Sequence, residues 1–183
     1  MMYNTIHIEA SGLGPGSYPI EVGVALANGK RHCTLICPPE DWLHWTRSNG
    51  EPSLARDNLL VNGRAVLNAA LLLNEWLGDS VVYSAAWGND VCWLATLYAR
   101  ASVRQRFSVE SVDNLFPATQ VTNPITSTLA ASQPAALLRP SQGQSHIKQA
   151  KRWRASSQAV LLQQAAAELS KNQSELQATL SGC

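Results

Sequence analysis

Near the start of the chain, His7 and Glu9 stand two residues apart in the run Ile6-His7-Ile8-Glu9. Residues two apart on an extended strand share a face. The pair can therefore hydrogen-bond internally, or an imidazole and a carboxylate can begin a metal shell. Glu9 alone also reads as a satisfied polar group at a strand end. Far along the chain, Lys148, Lys151, Arg152 and Arg154 make the one basic cluster, with Trp153 among them. Lysines and arginines at that spacing suit a phosphate backbone, and an indole suits a stacked base. The same cluster also reads as a solvated helix face with one half-buried indole. Cys33 and Cys37 fall four apart in an extended stretch and are expected on one face as small buried apolar residues rather than as metal ligands. Gly12, Gly14 and Gly16 are followed by no Lys-Ser/Thr pair and no helix start, so they read as turn glycines, not a phosphate cradle.

These groups sit in a chain of 183 residues with a formal net charge of +1. That length suits one domain with a substantial core. A near-neutral charge gives no global support to a nucleic-acid partner, although a local patch stays open. The apolar runs are too short to cross a bilayer, so no membrane is expected. The N-terminus lacks a basic segment followed by an apolar one, and the four cysteines form no CxxC pair. A reducing cytoplasm is the expected location.

The elements that must position these residues read as follows. Residues 3–9 form a strand with Tyr3, Thr5, His7 and Glu9 on one face. Residues 18–26 form a second, and Asn28-Gly29 turns the chain back into a third over 31–37, which Pro38 and Pro39 end. Residues 40–58 read as loop and short helical turns carrying Trp42 and Trp45. Val66, Ala69, Ala70, Leu73 and Trp76 or Leu77 have helical spacing, with Gly78 as the stop. Residues 80–84 form a buried strand, and Asn89 or Asp90 is expected to cap a helix to about Ala101. A fifth strand covers 107–112, with a short helix after it. Residues 117–145 read as a long irregular loop. A last helix starts near Ser145 or Ser156 and runs to about Leu176, with Ala159, Leu162, Ala166 and Leu169 inward, and 177–183 as a polar tail. Residues 1–176 then make one domain. Its class is α/β, a mixed sheet with a three-strand antiparallel meander, further parallel strands and helices on both faces. Of the six tryptophans, Trp76 and Trp93 fit helix cores. Trp42, Trp45 and Trp87 fall near the cleft that this order implies.

Three stretches carry a resemblance. The first is Ile6-His7-Ile8-Glu9-Ala10-Ser11-Gly12-Leu13 with Pro19-Ile20-Glu21-Val22-Gly23. The second is Val82 through Leu94, in which a strand and short loop precede Asp90 and the pair Trp93-Leu94. The third is Trp153-Arg154-Ala155, with Gln158 three residues on. Together they resemble the motifs of the DnaQ-like (DEDDh) 3′–5′ exonuclease family, which implies a ribonuclease H-like fold. Family members hold two divalent cations on four carboxylates and use a histidine as general base. The resemblance places His7 where the family has its first Asp, and Glu9 on the family's Glu. Asp90 falls on the second-motif Asp; in the other register that acid is lost at Ala85. Trp153 stands where the general base belongs and Gln158 where the last metal Asp belongs. His146 does not restore the motif, and Leu54-Ala55-Arg56 lies where the family has a His-Gly pair. Glu21 matches a family position outside the metal set, with a structural role.

Two of four carboxylates and no general base leave a weakened field for paired dications. Each lost charge-assisted ligand costs several kcal/mol of ion stabilisation. The resemblance therefore implies an exonuclease-like domain that is impaired or inactive as a hydrolase. Such a domain would act as a module for single-stranded nucleic acid or for a protein partner, a homodimer included. The alternative is an active metal-dependent 3′–5′ exonuclease on single-stranded DNA or RNA. Its shell of His7, Glu9 and Asp90 would take Mg²⁺ or Mn²⁺, with the imidazole favouring softer ions than Mg²⁺. Otherwise His7 is vestigial and bonded to Glu9 or Asp90.

Overall fold

The computed structural model describes residues 2–46, 55–116 and 154–181. Three strands come first: β1 (Thr5–Ala10), β2 (Pro19–Ala25) and β3 (Arg31–Leu35). Each follows the one before as an antiparallel neighbour. The hairpin between β2 and β3 is a loop over 27–29, one residue longer than the Asn-Gly signal alone dictates. Leu26 N–H donates to Lys30 O at 2.8 Å. Asn28 Oδ1 accepts from Lys30 N–H, and Asn4 Oδ1 from Ala27 N–H. These two amide side chains hold the wider turn, and Gly29 takes the positive φ of 85° that it needs.

Next come α1 (Arg56–Asn62), α2 (Val66–Leu77), β4 (Val81–Ser84), α3 (Trp87–Ala101) and β5 (Ser108–Ser111), then a 3₁₀ turn over Val112–Leu115 and the last helix, α4 (Ala155–Ser181). The sheet order is β3-β2-β1-β4-β5, with β1–β4 and β4–β5 parallel. This is the ribonuclease H-like mixed sheet that the sequence implies. One face, through Ile6, Ile8, Val22, Val24 and Val82, packs on α2 and α3. The opposite face of β1 and β2 carries α4, whose Ala159, Leu162 and Ala166 are buried and whose Leu169 is partly so. Two layers of helix thus bury both faces of the central strands.

The close approach of α4 has a specific cause. A Cβ on Gly23 would lie 2.1 Å from Ser156 N and 2.2 Å from Ala155 C. Only a residue without a side chain lets the helix start that near the sheet. Farther along, Thr5 Oγ1 donates to Ala159 O at 2.7 Å, and Gln163 Nε2 donates to Tyr3 O and Leu26 O. The helix thus covers the strand face that bears Thr5, His7 and Glu9.

Four expectations are corrected. The helix α1 begins at the end of the stretch read as loop and short helical turns and runs beyond it to Asn62, because Leu59 buries against Tyr18 and Ile20. β3 stops at Leu35 rather than 37; Ile36 keeps one hydrogen bond to Ile20 O and forms an isolated bridge with Arg64 on its outer side. Cys33 is exposed and Cys37 half-buried, so they are not a buried apolar pair. The last helix continues past Leu176 to Ser181, a run of residues without Gly or Pro in which Gln, Glu, Leu and Ala favour helix. The 117–145 loop lies outside the described residues.

Candidate functional site

The site is built where β1, β4 and the start of α3 meet. Glu9 lies near the end of β1, and α3 opens beyond β4 with Ala86 at its N-cap position and no side-chain cap. Asp90 is thus in the first turn and not the cap, which corrects the expected helix start. The reason is local. Ser84 Oγ donates to Asp90 Oδ2 at 2.6 Å while accepting from Ala86 N–H at 3.0 Å. One hydroxyl turns the chain into the helix and ties down the carboxylate.

His7 Nε2 donates to Glu9 Oε1 at 3.3 Å, with side-chain exposures of 27% and 30%. Burial works against the His7 imidazolium. The bond to Glu9 and the charges of Asp90, Glu9 and Glu21 outweigh it and raise His7 above its usual value. Asp90 has no exposure, and its Oδ1 has no hydrogen-bond partner among the described residues. Burial pushes its carboxyl up to about 6, against the opposing pull of His7 and Ser84. The site is therefore a cluster of an imidazole and two carboxylates that feel one another's charge, one of them made a weaker acid by burial.

Both shifts make stability fall as pH rises. A folded-state pKa raised above its unfolded value adds stability that is fully present below the unfolded pKa and is lost above it. Asp90 loses its share between about pH 4 and 6, on the order of 2–3 kcal/mol from the shift to about 6. His7 loses its share as pH climbs past its unfolded value of 6.5. Urea unfolding at pH 4, 5, 6 and 7 should show this decline, and Asp90→Asn should remove its acidic half.

The loop after Glu9 is fixed from three sides. Ser11 Oγ shares a hydrogen bond with His44 Nδ1 at 3.1 Å and accepts from Tyr18 N–H, and Thr46 N–H donates to Ser11 O. Trp93 Nε1–H donates to Ser17 Oγ. Gly12 has a φ of 152°, and a Cβ there would lie 1.9 Å from Thr46 Oγ1. Trp42 stacks on Tyr18 with centroids 4.8 Å apart, and Arg56 Nη1 donates to Trp42 O. Trp42 and Trp45 thus fill a satellite core. Trp87 is 48% exposed, with its indole N–H on Val109 O.

Glu21, one strand over, is fully buried. It accepts from Arg154 Nε at 2.6 Å, from Ala155 N–H at 3.3 Å and from the Cys33 thiol at 2.8 Å. It anchors the start of α4, the structural role expected of it. That engagement turns the Arg154 Nε to Glu21. Lys148, Lys151, Arg152 and Trp153 lie outside the described residues. Gln158 lies in the α4 turn laid across Gly23, which pairs with His7 in β2. Sequence reasoning missed Ser84, Ser11 and His44 as parts of the site. A serine closing a strand six residues before an acid was the one available sign.

Among the described residues, no group of three His, Cys, Asp or Glu side chains is placed to hold one ion. Glu9 is already hydrogen-bonded to His7, and one Asp90 oxygen is held by the Ser84 hydroxyl. This donor set does not fit two closely spaced Mg²⁺ ions, which need several free carboxylate oxygens.

No protein-family model matches the chain, and no curated protein does either. Among solved structures the chain is similar to E. coli exonuclease I in complex with a 5cy-dA13 oligonucleotide, at a TM-score of 0.57 and 12% identity. The match covers 93% of this chain but only 40% of that one, so the chain spans less than half the length of its neighbour. Identity that low speaks for the fold alone: this chain has an exonuclease-like, ribonuclease H-like α/β fold.

Proposed function

We propose that the chain is an exonuclease-like domain that has lost ordinary two-cation phosphodiester hydrolysis and serves as a binding module. The observation that carries this reading is the His7–Glu9 hydrogen bond, at the position where the resemblance calls for two metal-bound carboxylates. An imidazole there supplies no negative charge, and its proton takes up an oxygen a cation would need. Burial raises the Asp90 carboxyl to about 6, so keeping its charge there costs more than for an exposed carboxylate. Trp153 and Gln158, at the general-base and last-acid positions, have no carboxylate or imidazole to offer. Single-stranded nucleic acid and an extended protein segment are the two ligand classes of this reading.

One observation favours the alternative of an active enzyme with an altered shell. Asp90 Oδ1 is a buried acceptor without a partner among the described residues, and a cation that drew His7, Glu9 and Asp90 together from their present positions would satisfy it. Mg²⁺ or Mn²⁺ would then be the cofactor.

A trimming assay separates the two. Single-stranded DNA and RNA oligonucleotides with millimolar Mg²⁺ or Mn²⁺ should show no 3′ shortening above a protein-free control, and Glu9→Ala should change nothing. Turnover at ordinary enzyme rates, about 1–10³ s⁻¹, abolished by Glu9→Ala, overturns the proposal. Fluorescence anisotropy on the same oligonucleotides reports binding without cleavage.

A further inference from the structure

The strand β3 forms one edge of the sheet, and its backbone groups divide by parity. Ile36 N–H donates inward to Ile20 O at 2.9 Å. On the outer side, Arg64 N–H donates to Leu35 O at 2.9 Å and Cys37 N–H donates to Arg64 O at 2.8 Å. Odd-numbered residues therefore turn their N–H and C=O groups outward. Arg64 closes the edge beyond Leu35, and its bridge to Ile36 is parallel. No strand covers the outward groups of Arg31 and Cys33 among the described residues.

Beside this open stretch runs a groove of about 570 Å³ between β3 and the first turns of α4. Arg31 and Cys33 line it on the strand side, and Ser156, Val160 and Leu161 on the helix side. Leu161 is 45% exposed, an apolar side chain left uncovered on the groove wall. Arg31 is exposed, and none of the ion pairs among the described residues uses it. Alternating outward donors and acceptors match a polypeptide main chain, and the adjoining apolar wall and unpaired cation add side-chain preferences.

We propose that this edge takes up an extended segment of a partner protein as an added strand. Its main chain pairs with Arg31 and Cys33, an apolar side chain rests on Val160 and Leu161, and a carboxylate faces Arg31. Arg64 shows that the same edge already accepts main-chain hydrogen bonds from outside the meander. The inference rests on reading the chain as a binding module and names the partner class.

The test is selection of a random dodecapeptide display library on the full chain, followed by work with the enriched synthetic peptides. Bound peptide should slow amide hydrogen exchange at Arg31 and Cys33 by about tenfold or more. Affinity should fall about tenfold in Arg31→Glu and in Leu161→Asp. Both are exposed positions, so circular dichroism should confirm an unchanged fold. N-methylation of the pairing peptide amides should abolish binding. The proposal fails if no peptide is enriched over an unrelated control protein, if enriched peptides leave those two amides unprotected, or if light scattering shows the edge taken by a second copy. Efficient Mn²⁺-dependent trimming by a chain that still binds such peptides would defeat the functional reading and leave this inference standing.

Discussion

Restoring His7→Asp, Trp153→His and Gln158→Asp together should produce metal-dependent 3′ trimming at least about 10²-fold above the natural chain, the size expected from a general base alone. The argument is one of charge. The natural site offers Glu9 and Asp90, one bonded to an imidazole and the other made a weaker acid by burial. Replacing His7 by a carboxylate frees Glu9, adds a ligand on the same strand face and lets a cation, not a proton, hold the cluster together. The turn carrying Gln158 crosses Gly23, the β2 partner of His7. Single changes should achieve little, because a two-ion site is cooperative in charge. Added carboxylates repel without metal, so the variant should be checked for folding in Mg²⁺. A folded triple variant that remains inert would show that the register is misassigned.

Glu21→Ala should cost about 3 kcal/mol of stability and also remove one of the charges that raise His7. Glu21 is fully buried and holds the Arg154 guanidinium, the Ala155 N–H and the Cys33 thiol at once. Removing it leaves a half-buried cation and a helix-start N–H uncompensated, at the point where α4 docks on β2. Urea denaturation should show a lower midpoint. A second readout comes from Cys33, whose thiol is pushed up to about 11 by burial and by hydrogen bonding and charge from Glu21. Without the carboxylate the thiol should ionise more readily and alkylate faster at pH 8. A loss of stability below about 1 kcal/mol would mean that water replaces the clamp.

What the sequence disclosed was local. The alternation in β1, the Asn28-Gly29 turn and the helical stripes of α2 and α4 each arise within a few residues, and each appears in the structure as an element. What it concealed was contact at a distance. Glu21 and Arg154 are separated by 133 positions, and no periodicity announces that they meet. Gly23 reads as an ordinary strand residue until α4 is laid against it. Asp90 looks like a cap because aspartate favours that place, yet Ser84 holds it inside the first turn. Leu59 gave too short a pattern to reveal α1. At the candidate site, His7 and Glu9 were legible as a pair because they share one strand face. The burial that raises Asp90 was not, because it depends on how α3 packs on the sheet.

The central claim is that lost negative charge prevents paired cations from settling beside Glu9. Isothermal titration of the natural chain with Mn²⁺ tests it most directly. No saturable uptake up to millimolar Mn²⁺, with Glu9→Ala giving the same flat trace, is the predicted result. Two ions bound per chain, with both lost in Glu9→Ala, would contradict it.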